Sequence, residues 1–394
     1  MKQKTKVVCA MSGGVDSSVA AAILKSKGYD VIGVFMKLWI PEGVGENRCC
    51  NIEAQNLAKK TASILKIPFY SIDVRAEFKN KVVKNYLKGY SAYETPNPCV
   101  VCNKYIKFSA LLRKTLELGA EYLATGHYVR IENAGISKSE FLISKQITNS
   151  KFQNLKFKLL RARDKTKDQS YFLWTLTQNQ LKHLLFPIGG YYKTEVREMA
   201  KKWGLPVFDR DESQGVCFIG DWTNEEFLAK YIKAKPGPIL DLKGNILGEH
   251  RGLPFYTIGQ RKGLRELRIK NSELRKKWEI PPLYVVELDP QKNALIVGRE
   301  EDLYKKEAVV KDVNWINGKL QIVNSKLLAQ IRYGHGAMPC WASKIKNKKE
   351  KVKTTTKNEK LKIVFDKPQR AITPGQSVVF YREQELLGGG VIEN

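Results

Sequence analysis

The chain has 394 residues, of which 43% are hydrophobic and 10% aromatic, a composition typical of a folded protein with several cores and not of a disordered chain. It contains no run of 18 apolar residues and begins with lysines instead of a signal-peptide segment, so we expect a cytoplasmic protein without membrane spans. The net charge of +28 favours a large polyanionic partner such as RNA.

The first predicted element is a buried strand over residues 6–11, followed by a helix over 19–28. Between them stands Ser12-Gly13-Gly14-Val15-Asp16-Ser17-Ser18. Two glycines allow a ligand close to the backbone, and a helix N-terminus suits a phosphate. Asp16 is suited to hold Mg²⁺ against phosphates. A simple helix-capping turn is the alternative, but the seven-residue run favours a nucleotide, without a P-loop lysine or a dinucleotide fingerprint.

Strands and helices then alternate, which predicts a parallel sheet with helices on both faces. The predicted strands cover residues 31–36, 68–74 and 122–128, and a helix covers 51–65. Ligands of such sheets bind at the carboxyl ends of the strands. Met36 and Gly126 are therefore expected near the same nucleotide, although core packing alone also explains Met36.

Seven cysteines, an odd number, favour thiol chemistry or a metal over a disulfide scaffold. Two prolines before Cys99 predict an extended approach, with a helix opening at Cys102 and running to Leu112. A cysteine near a helix N-terminus beside lysines has a stabilised thiolate. Cys99 and Cys102 also form a C-x-x-C pair, which serves zinc, redox couples and Fe–S clusters alike; no second pair follows, which argues against a four-cysteine zinc site.

The middle of the chain is less regular. Residues 133–158 are predicted to be an insertion or peripheral hairpin. Residues 167–173 combine basic, amide and aromatic side chains suited to RNA, or form an ordinary charged turn before a helix to 185. Another helix is predicted over 194–203. Cys217 lies among small apolar residues and glycines, so a buried structural cysteine is the default and a reactive thiol on a mobile loop the alternative.

After residue 236 the pattern changes to short strands with frequent glycines, and from about 302 an all-β segment suits a small barrel. The lysine-rich residues 346–360 are expected to be a hairpin loop on it. The predicted fold class is α/β: a Rossmann-like parallel sheet, a small central β-rich domain and a C-terminal β-barrel. The expected domains are residues 1–225, 226–298 and 299–394.

Taken together and in this order, the motifs resemble those of the tRNA-specific 2-thiouridylases, which belong to the PP-loop ATP pyrophosphatase superfamily with its HUP-like domain. The resemblance rests on residues 10–18, 102–108, 125–128, 167–173, 215–220, 257–264, 373–376 and 388–390.

The resemblance implies thiolation of the wobble uridine of tRNA. ATP would adenylate uridine O2. Cys217 would carry a persulfide sulfur from a relay protein or cysteine desulfurase, and Cys102 would be the nucleophile that forms a transient disulfide with Cys217. The cofactors implied are ATP and Mg²⁺, and we expect a monomer. The implied ATP-binding residues are Ala10, Met11, Ser12, Gly13, Gly14, Val15, Asp16, Ser17, Met36 and Gly126. The implied tRNA contacts are Asn97, Pro98, Cys99, His127, Lys167, Asp168, Gln169, Arg332, Tyr333 and Gln376.

One position departs from the resemblance. Some members have an Asp, assigned as general base, where this chain has Cys99, so that role is in doubt here. Cys99, Cys102 and Cys217 together also supply three thiols, enough for an Fe–S cluster with one open iron, which we keep as an alternative hypothesis. Two other functions stay open: another adenylating enzyme such as an amidotransferase synthetase or lysidine synthetase, and a non-catalytic RNA-binding protein. The intact loop argues against the latter.

Overall fold

A computed structural model describes residues 4–42, 51–133, 156–210, 215–264, 282–317, 325–345 and 360–393. The strands of its N-terminal part are β1 (Lys6–Ala10), β2 (Asp30–Lys37), β3 (Phe69–Asp73), β4 (Tyr122–Ala124), β5 (Val129–Asn133), β6 (Phe157–Arg161) and β7 (Leu184–Leu185). Five of them form a sheet in the order β3-β2-β1-β4-β7, and every pairing in it is parallel. The predicted Rossmann-like sheet is confirmed.

The helices of the described chain are α1 (Val15–Ser26), α2 (Ile52–Ile64), α3 (Arg75–Phe78), α4 (Lys84–Ser91), α5 (Pro98–Cys102), α6 (Leu112–Glu117), α7 (Gln178–Leu181), α8 (Lys193–Lys202) and α9 (Asn224–Tyr231). Wide π-helical turns over Lys79–Val83 and Asn103–Leu111 make α3–α4 and α5–α6 continuous. The apolar residues of β1 alternate between two cores: Val7 packs with α1, whereas Val8 packs with Phe108 on the other face. Burial on both faces explains why β1 is apolar throughout.

Four predicted boundaries are wrong. The first helix begins at Val15 instead of residue 19, with Gly14 as its N-cap. The fourth strand ends at Ala124 instead of residue 128, because Gly126 passes directly over the start of α1. The helix expected up to residue 185 ends at Leu181 as the short α7, because the buried Leu184 and Leu185 pair with β4 as the edge strand β7. The cysteine helix begins at Pro98, four residues before Cys102, because Asn97 caps it and proline suits the first helical position.

The central β-rich part contains β8 (Gly237–Leu240), β9 (Ile246–His250), β10 (Tyr284–Asp289) and β11 (Ala294–Gly298). In the described residues these pair in the order β10-β11-β8-β9. The small core beneath them includes Ile239, Leu253, Val285 and Leu295.

The C-terminal strands are β12 (Tyr304–Trp315), β13 (Ser325–Gln330), β14 (Met338–Lys344), β15 (Leu361–Arg370), β16 (Ser377–Arg382) and β17 (Glu385–Glu393). They pair antiparallel in the order β12-β15-β14-β13-β16-β17, and β12 also pairs with β17. This closes the six described strands into a barrel, as predicted.

The barrel sheet continues into the N-terminal part, because β17 also pairs with β6 of the β5–β6 hairpin. The ends of the predicted insertion at 133–158 form this hairpin, whereas residues 134–155 lie outside the described chain. Of the predicted lysine-rich loop at 346–360, residues 346–359 also lie outside it, between the antiparallel partners β14 and β15. The three domain limits stay a prediction. Within the described ranges, no helix is both long and apolar enough to cross a bilayer.

Candidate nucleotide cavity and thiol region

The glycine loop connects β1 to α1, and its conformation leaves the helix N-terminus open. Gly14 is the N-cap and supplies no side-chain cap. Ser17 Oγ accepts a hydrogen bond from the Ser12 N–H at 3.1 Å and donates one to the Gly14 carbonyl at 3.1 Å, which closes the loop on itself. Gly13 has φ of +75°, and a Cβ there would lie 2.2 Å from the Ala54 carbonyl oxygen of α2. Only glycine therefore fits this position.

A cavity of about 220 Å³ opens beside this loop. Its lining residues come from the loop, from the end of β2, from the segment after β4 and from the cysteine helix: Ala10, Met11, Ser12, Asp16, Ser17, Val34, Phe35, Met36, Lys107, Thr125, Gly126, His127 and Gln169. Seven of the ten predicted ATP-binding residues line it; Gly13, Gly14 and Val15 belong to the loop but not to the lining. The cavity therefore lies at the carboxyl end of the parallel strands, where ligands of such sheets bind.

Asp16 is held by two partners that the sequence did not suggest. Lys193 Nζ lies 2.7 and 2.8 Å from its two carboxylate oxygens, and the Tyr128 hydroxyl donates to Oδ1 at 2.8 Å. Lys193 is buried at the first position of α8, and its N–H donates to Asp164 Oδ2 at 3.0 Å. The carboxylate in the loop is thus already paired with a buried cation.

His127 lies in the wall of the cavity with 8% of its surface exposed. Its Nδ1 is 2.7 Å from Thr125 Oγ1, and its Nε2 is 3.5 Å from Lys107 Nζ. Because a lysine ammonium can only donate, Nε2 accepts and Nδ1 carries the proton. Burial, and then the charge of Lys107, hold the pKa of His127 well below its usual value. The imidazole is therefore neutral at physiological pH.

The cysteine helix carries Cys99 in its first turn and Cys102 one turn later. The Asn97 side chain accepts the Val100 N–H at 3.3 Å. The prediction that Cys102 opens the helix is wrong. The cysteine nearest the positive N-terminal end of the helix is Cys99, which is exposed. Cys102 is partly buried.

Cys217 lies in a turn after Gly215 and is also partly buried. The next residue, Phe218, is fully buried in an aromatic cluster with Phe78, Tyr86 and Phe227, at centroid distances of 5.2–5.7 Å. These rings belong to a larger apolar cluster, against which Cys102 and Cys217 both pack. Cys99 interacts electrostatically with Tyr86. We call these three cysteines and the aromatic cluster the thiol region. By contrast, burial raises the pKa of Cys9 and Cys340 to about 12, which keeps them protonated.

Met36 connects the nucleotide cavity to the thiol region. It lines the cavity at the end of β2 and packs against the apolar cluster that borders Cys102 and Cys217. The glycine loop is also held by Arg210, whose guanidinium donates to the Gly13 carbonyl at 2.9 Å.

Several predicted tRNA contacts meet around Tyr171. Its hydroxyl donates to the Ser377 carbonyl at 3.0 Å. The Asn97 side chain and the charge of Arg332 lie near enough to act on its pKa, which burial raises. The neighbouring Phe172 stacks at 4.5 Å on Tyr333, which is 44% exposed. Asn97, Arg332 and Tyr333 are thus close together although they come from opposite ends of the chain.

The other predicted tRNA contacts have internal partners. Asp168 accepts hydrogen bonds from Arg161 and Ser170, and Gln169 accepts the Tyr128 N–H at 3.0 Å. Gln376 donates from Nε2 to the Thr95 carbonyl at 2.8 Å. The tRNA-binding roles of Asp168, Gln169 and Gln376 therefore stay predictions. The same holds for those of His127, Lys167, Pro98 and Cys99.

Thr95, two residues before Asn97, is bonded to both other parts of the chain. Its N–H donates to the Pro374 carbonyl at 2.8 Å, and its carbonyl accepts from Gln376. Its hydroxyl donates to Thr257 Oγ1 of the central part at 3.2 Å. The start of the cysteine helix is therefore fixed by the barrel and the central part together.

With this geometry established, comparison with known proteins identifies the family. A model described as tRNA methyl transferase HUP domain matches residues 5–221. Models described as tRNA methyl transferase PRC-barrel domain and aminomethyltransferase beta-barrel domain match residues 225–299 and 305–392. The tRNA-specific 2-thiouridylase of Moorella thermoacetica is 44% identical over 391 residues, 98% of each chain. That of Clostridioides difficile is 41% identical over 397 residues, all of this chain and 99% of the other.

The chain belongs to the tRNA-specific 2-thiouridylase family. The resemblance inferred from the motifs is confirmed, and it covers the N-terminal sheet, the central part and the barrel alike.

Lys107 and Lys193 are the main site residues that sequence analysis missed. Lys107 stands within the cysteine motif, where one basic residue among several gave no distinguishing signal. Lys193 opens a helix far along the chain, and no local pattern links it to the loop. Within the described ranges, no three His, Cys, Asp or Glu side chains are grouped as metal ligands, so the geometry gives the Fe–S hypothesis no support.

Proposed function

We propose that this protein catalyses the ATP-dependent 2-thiolation of the wobble uridine of tRNA. The observation that carries the proposal is the position of Met36, which borders both the nucleotide cavity and the apolar cluster of the two cysteines. An adenylating site and a sulfur-transferring site that act on one base must be neighbours. The relatives at 40–44% identity, all named tRNA-specific 2-thiouridylases, support the same activity.

ATP occupies the cavity in this proposal, with its pyrophosphate at the N-terminus of α1 and the Ser12–Ser17 loop, where open N–H groups favour anions. Met36 and Gly126 border the rest of the nucleotide. Asp16 is the single carboxylate lining the cavity among the described residues, and Mg²⁺ commonly takes one or two carboxylates together with substrate phosphates. Asp16 is therefore the residue that would hold a Mg²⁺ ion beside the phosphates. The ion would neutralise charge on the phosphates.

In the first step uridine O2 attacks the α-phosphorus of ATP. The O2–P bond forms, the bond to the β-phosphate bridging oxygen breaks, and pyrophosphate leaves with the electron pair. N3 releases its proton to solvent, since Cys99 stands where some relatives have a carboxylate. The product is a base activated at C2, with AMP as the next leaving group.

In the second step the terminal sulfur of a Cys217 persulfide attacks C2, and AMP leaves with the electron pair of the C2–O2 bond. The Cys102 thiolate then attacks Cys217 Sγ. This breaks the bond to the transferred sulfur, which stays on C2 as N3 regains a proton, and it joins Cys102 to Cys217 as a disulfide. An external dithiol reduces the disulfide, and a persulfide donor, either a relay protein or a cysteine desulfurase, reloads Cys217.

Residues 97–99 would contact the target base of the tRNA. Arg332 and Tyr333 would contact the neighbouring nucleotides. An exposed tyrosine ring suits base stacking, and a partly buried arginine suits phosphate. Lys167, Asp168, Gln169, His127 and Gln376 complete the proposed contact set. The excess of positive charge over the chain supports a polyanionic substrate. The enzyme is proposed to act as a monomer.

The test is nucleoside mass spectrometry of unmodified tRNA after incubation with the protein, Mg²⁺, ATP, a persulfide donor and a dithiol. Wild type is expected to form 2-thiouridine and AMP. Cys102→Ala and Cys217→Ala are expected to lose 2-thiouridine while pyrophosphate release continues, because adenylation needs neither thiol.

The matched control is Cys340→Ala in the barrel core, which is expected to keep thiolation. Thiolation that persists in both Cys102→Ala and Cys217→Ala contradicts the thiol mechanism. AMP without any thiolated base favours another adenylating enzyme, and tRNA binding without AMP favours a non-catalytic RNA-binding protein.

A further inference from the structure

Lys107 is a cation in the wall of the nucleotide cavity, on the same continuous helix as Cys102. Its Nζ lies 3.5 Å from His127 Nε2. No carboxylate among the described residues forms an ion pair with it. Of the residues that line the described cavity, Lys107 is the one lysine or arginine.

The neighbouring imidazole of His127 is neutral and therefore does not compensate the positive charge of Lys107. His127 packs against Phe108 and Phe186, at centroid distances of 5.6 and 6.2 Å. The Thr125 hydroxyl fixes its Nδ1 at 2.7 Å. A neutral ring held in this way accepts a hydrogen bond from Lys107 and orients the ammonium without pairing its charge. Lys193 differs, because it is already paired with Asp16 at 2.7 Å.

Adenylyl transfer develops negative charge on the oxygens around the α-phosphorus and on the departing pyrophosphate. The α1 N-terminus and the loop suit the pyrophosphate, so the α-phosphoryl group needs a separate donor. Uridine O2 has to arrive from the side of the thiol region, and the helix of Cys102 is the element that reaches from that region to the cavity. A preorganised cation between the thiol region and the cavity stabilises the transition state more than the bound substrate, because the negative charge develops there during the reaction.

We propose that Lys107 is a catalytic residue whose ammonium contacts the α-phosphoryl oxygens of ATP during attack by uridine O2, with His127 as its positioning residue. This inference rests on the proposed function. It assigns to one lysine the charge stabilisation of the adenylation step, while Cys102 and Cys217 serve the sulfur step.

The experiment measures tRNA-dependent AMP formation by the full chain with Mg²⁺ and ATP. Lys107→Met is expected to lower kcat by about 10²-fold or more with little change in the KM for ATP, since a contact made mainly in the transition state is lost. Lys107→Arg is expected to restore part of the rate. The control is Lys114→Met on the same helix, an exposed lysine paired with Glu117 at 3.2 Å, which is expected to match wild type.

The His127 variants separate positioning from simple packing. His127→Gln keeps a neutral acceptor for the Lys107 ammonium and is expected to lower kcat less than His127→Glu does. His127→Glu places a carboxylate beside Lys107 and is expected to lower kcat as Lys107→Met does, because the charge of Lys107 is then paired.

Wild-type kcat in Lys107→Met, or an equal loss in His127→Gln and His127→Glu, overturns the inference. A loss of kcat in Lys107→Met accompanied by an equal fall in ATP affinity measured by calorimetry also overturns it. If wild type itself forms no tRNA-dependent AMP, the proposed function has failed instead, so the two failures are distinguishable.

Discussion

The nucleotide cavity and the thiol region differ in how many parts of the chain build them. The cavity is lined entirely by the N-terminal part, from the β1–α1 loop to Gln169. The thiol region also belongs to that part, but its cysteine helix starts at a segment bonded to the central part and to the barrel through Thr95. The first site is thus local and the second depends on how three parts of the molecule fit together. Changes at the two sites should therefore separate ATP binding from productive placement of tRNA.

The largest expected effect is at Gly13. An alanine there would place a Cβ 2.2 Å from the Ala54 carbonyl oxygen, at φ of +75°. We expect Gly13→Ala to abolish ATP binding and to lower stability by about 3 kcal/mol, the sum of overpacking and left-handed strain. Calorimetric titration with ATP and thermal unfolding measure both.

Gly28→Ala is the control for Gly13→Ala, because Gly28 has φ of +83° and open space around a Cβ. It should cost only the backbone strain, about 1 kcal/mol, with ATP binding retained. Equal ATP affinities in the two variants would show that contact of the loop with α2 does not shape the cavity.

Gly375 tests the other side of the comparison. A Cβ there would lie 2.9 Å from the Thr95 nitrogen and oxygen. We expect Gly375→Ala to displace the start of the cysteine helix and to lower thiolation about 10²-fold, since a displacement of about 1 Å has that effect, while ATP affinity stays unchanged. Gly244→Ala, with the same φ of +86° in open space, should retain thiolation. Loss of ATP affinity in Gly375→Ala would mean that the cavity also depends on the barrel.

The pH dependence of the free energy of unfolding tests the buried, neutral state of His127 in the cavity wall. The unfolded chain protonates His127 near its usual pKa of about 6.5, whereas burial lowers the pKa of the folded histidine. Below about pH 6.5 the unfolded state therefore binds more protons, and the free energy of unfolding falls by up to about 1.4 kcal/mol per pH unit. The contribution of His127 to the free energy of unfolding is fully present above about pH 6.5 and is lost as the pH falls below it.

His127→Gln should reduce that slope when thermal unfolding is followed between about pH 5 and about pH 8. His250 and His335, whose pKa values burial also lowers, should supply the remaining slope. An unchanged slope in His127→Gln would mean that the folded ring titrates normally.

The smallest expected effect is at Gln376. Gln376→Met removes the donor to the Thr95 carbonyl, and we expect thiolation to fall about fivefold, the equivalent of about 1 kcal/mol for one hydrogen bond. Gln369→Met removes an exposed amide that bonds only to nearby carbonyls of its own strand among the described residues and should have no effect. A fall of tRNA affinity in Gln376→Met without slower single-turnover thiolation would favour direct tRNA contact over positioning.

The parallel sheet, the loop and the barrel are predictable from the sequence, because each has a local signal. β1 and β2 are apolar runs, the loop is rich in glycine and serine, and α2 is confirmed with its Asn51 cap. The motifs also sufficed to identify the family. Tertiary contacts overrode the local pattern at Leu184 and Leu185, which pair with β4 as a strand. At Pro98 the boundary was wrong for a local reason, because the Asn97 cap and the first-turn proline start the helix earlier than predicted.

The residues that meet across long sequence distances depend on tertiary contacts. Lys193 reaches Asp16 across 177 positions of sequence, and Gln376 reaches Thr95 across 281. A lone lysine or glutamine has the same local pattern on a solvated surface as at a site, so sequence spacing contains no information about these pairs. Packing of α8 against α1 and of the barrel against the cysteine helix creates them. The neutral state of His127 arises in the same way, because burial beside Lys107 sets it and no neighbouring residue in sequence predicts it.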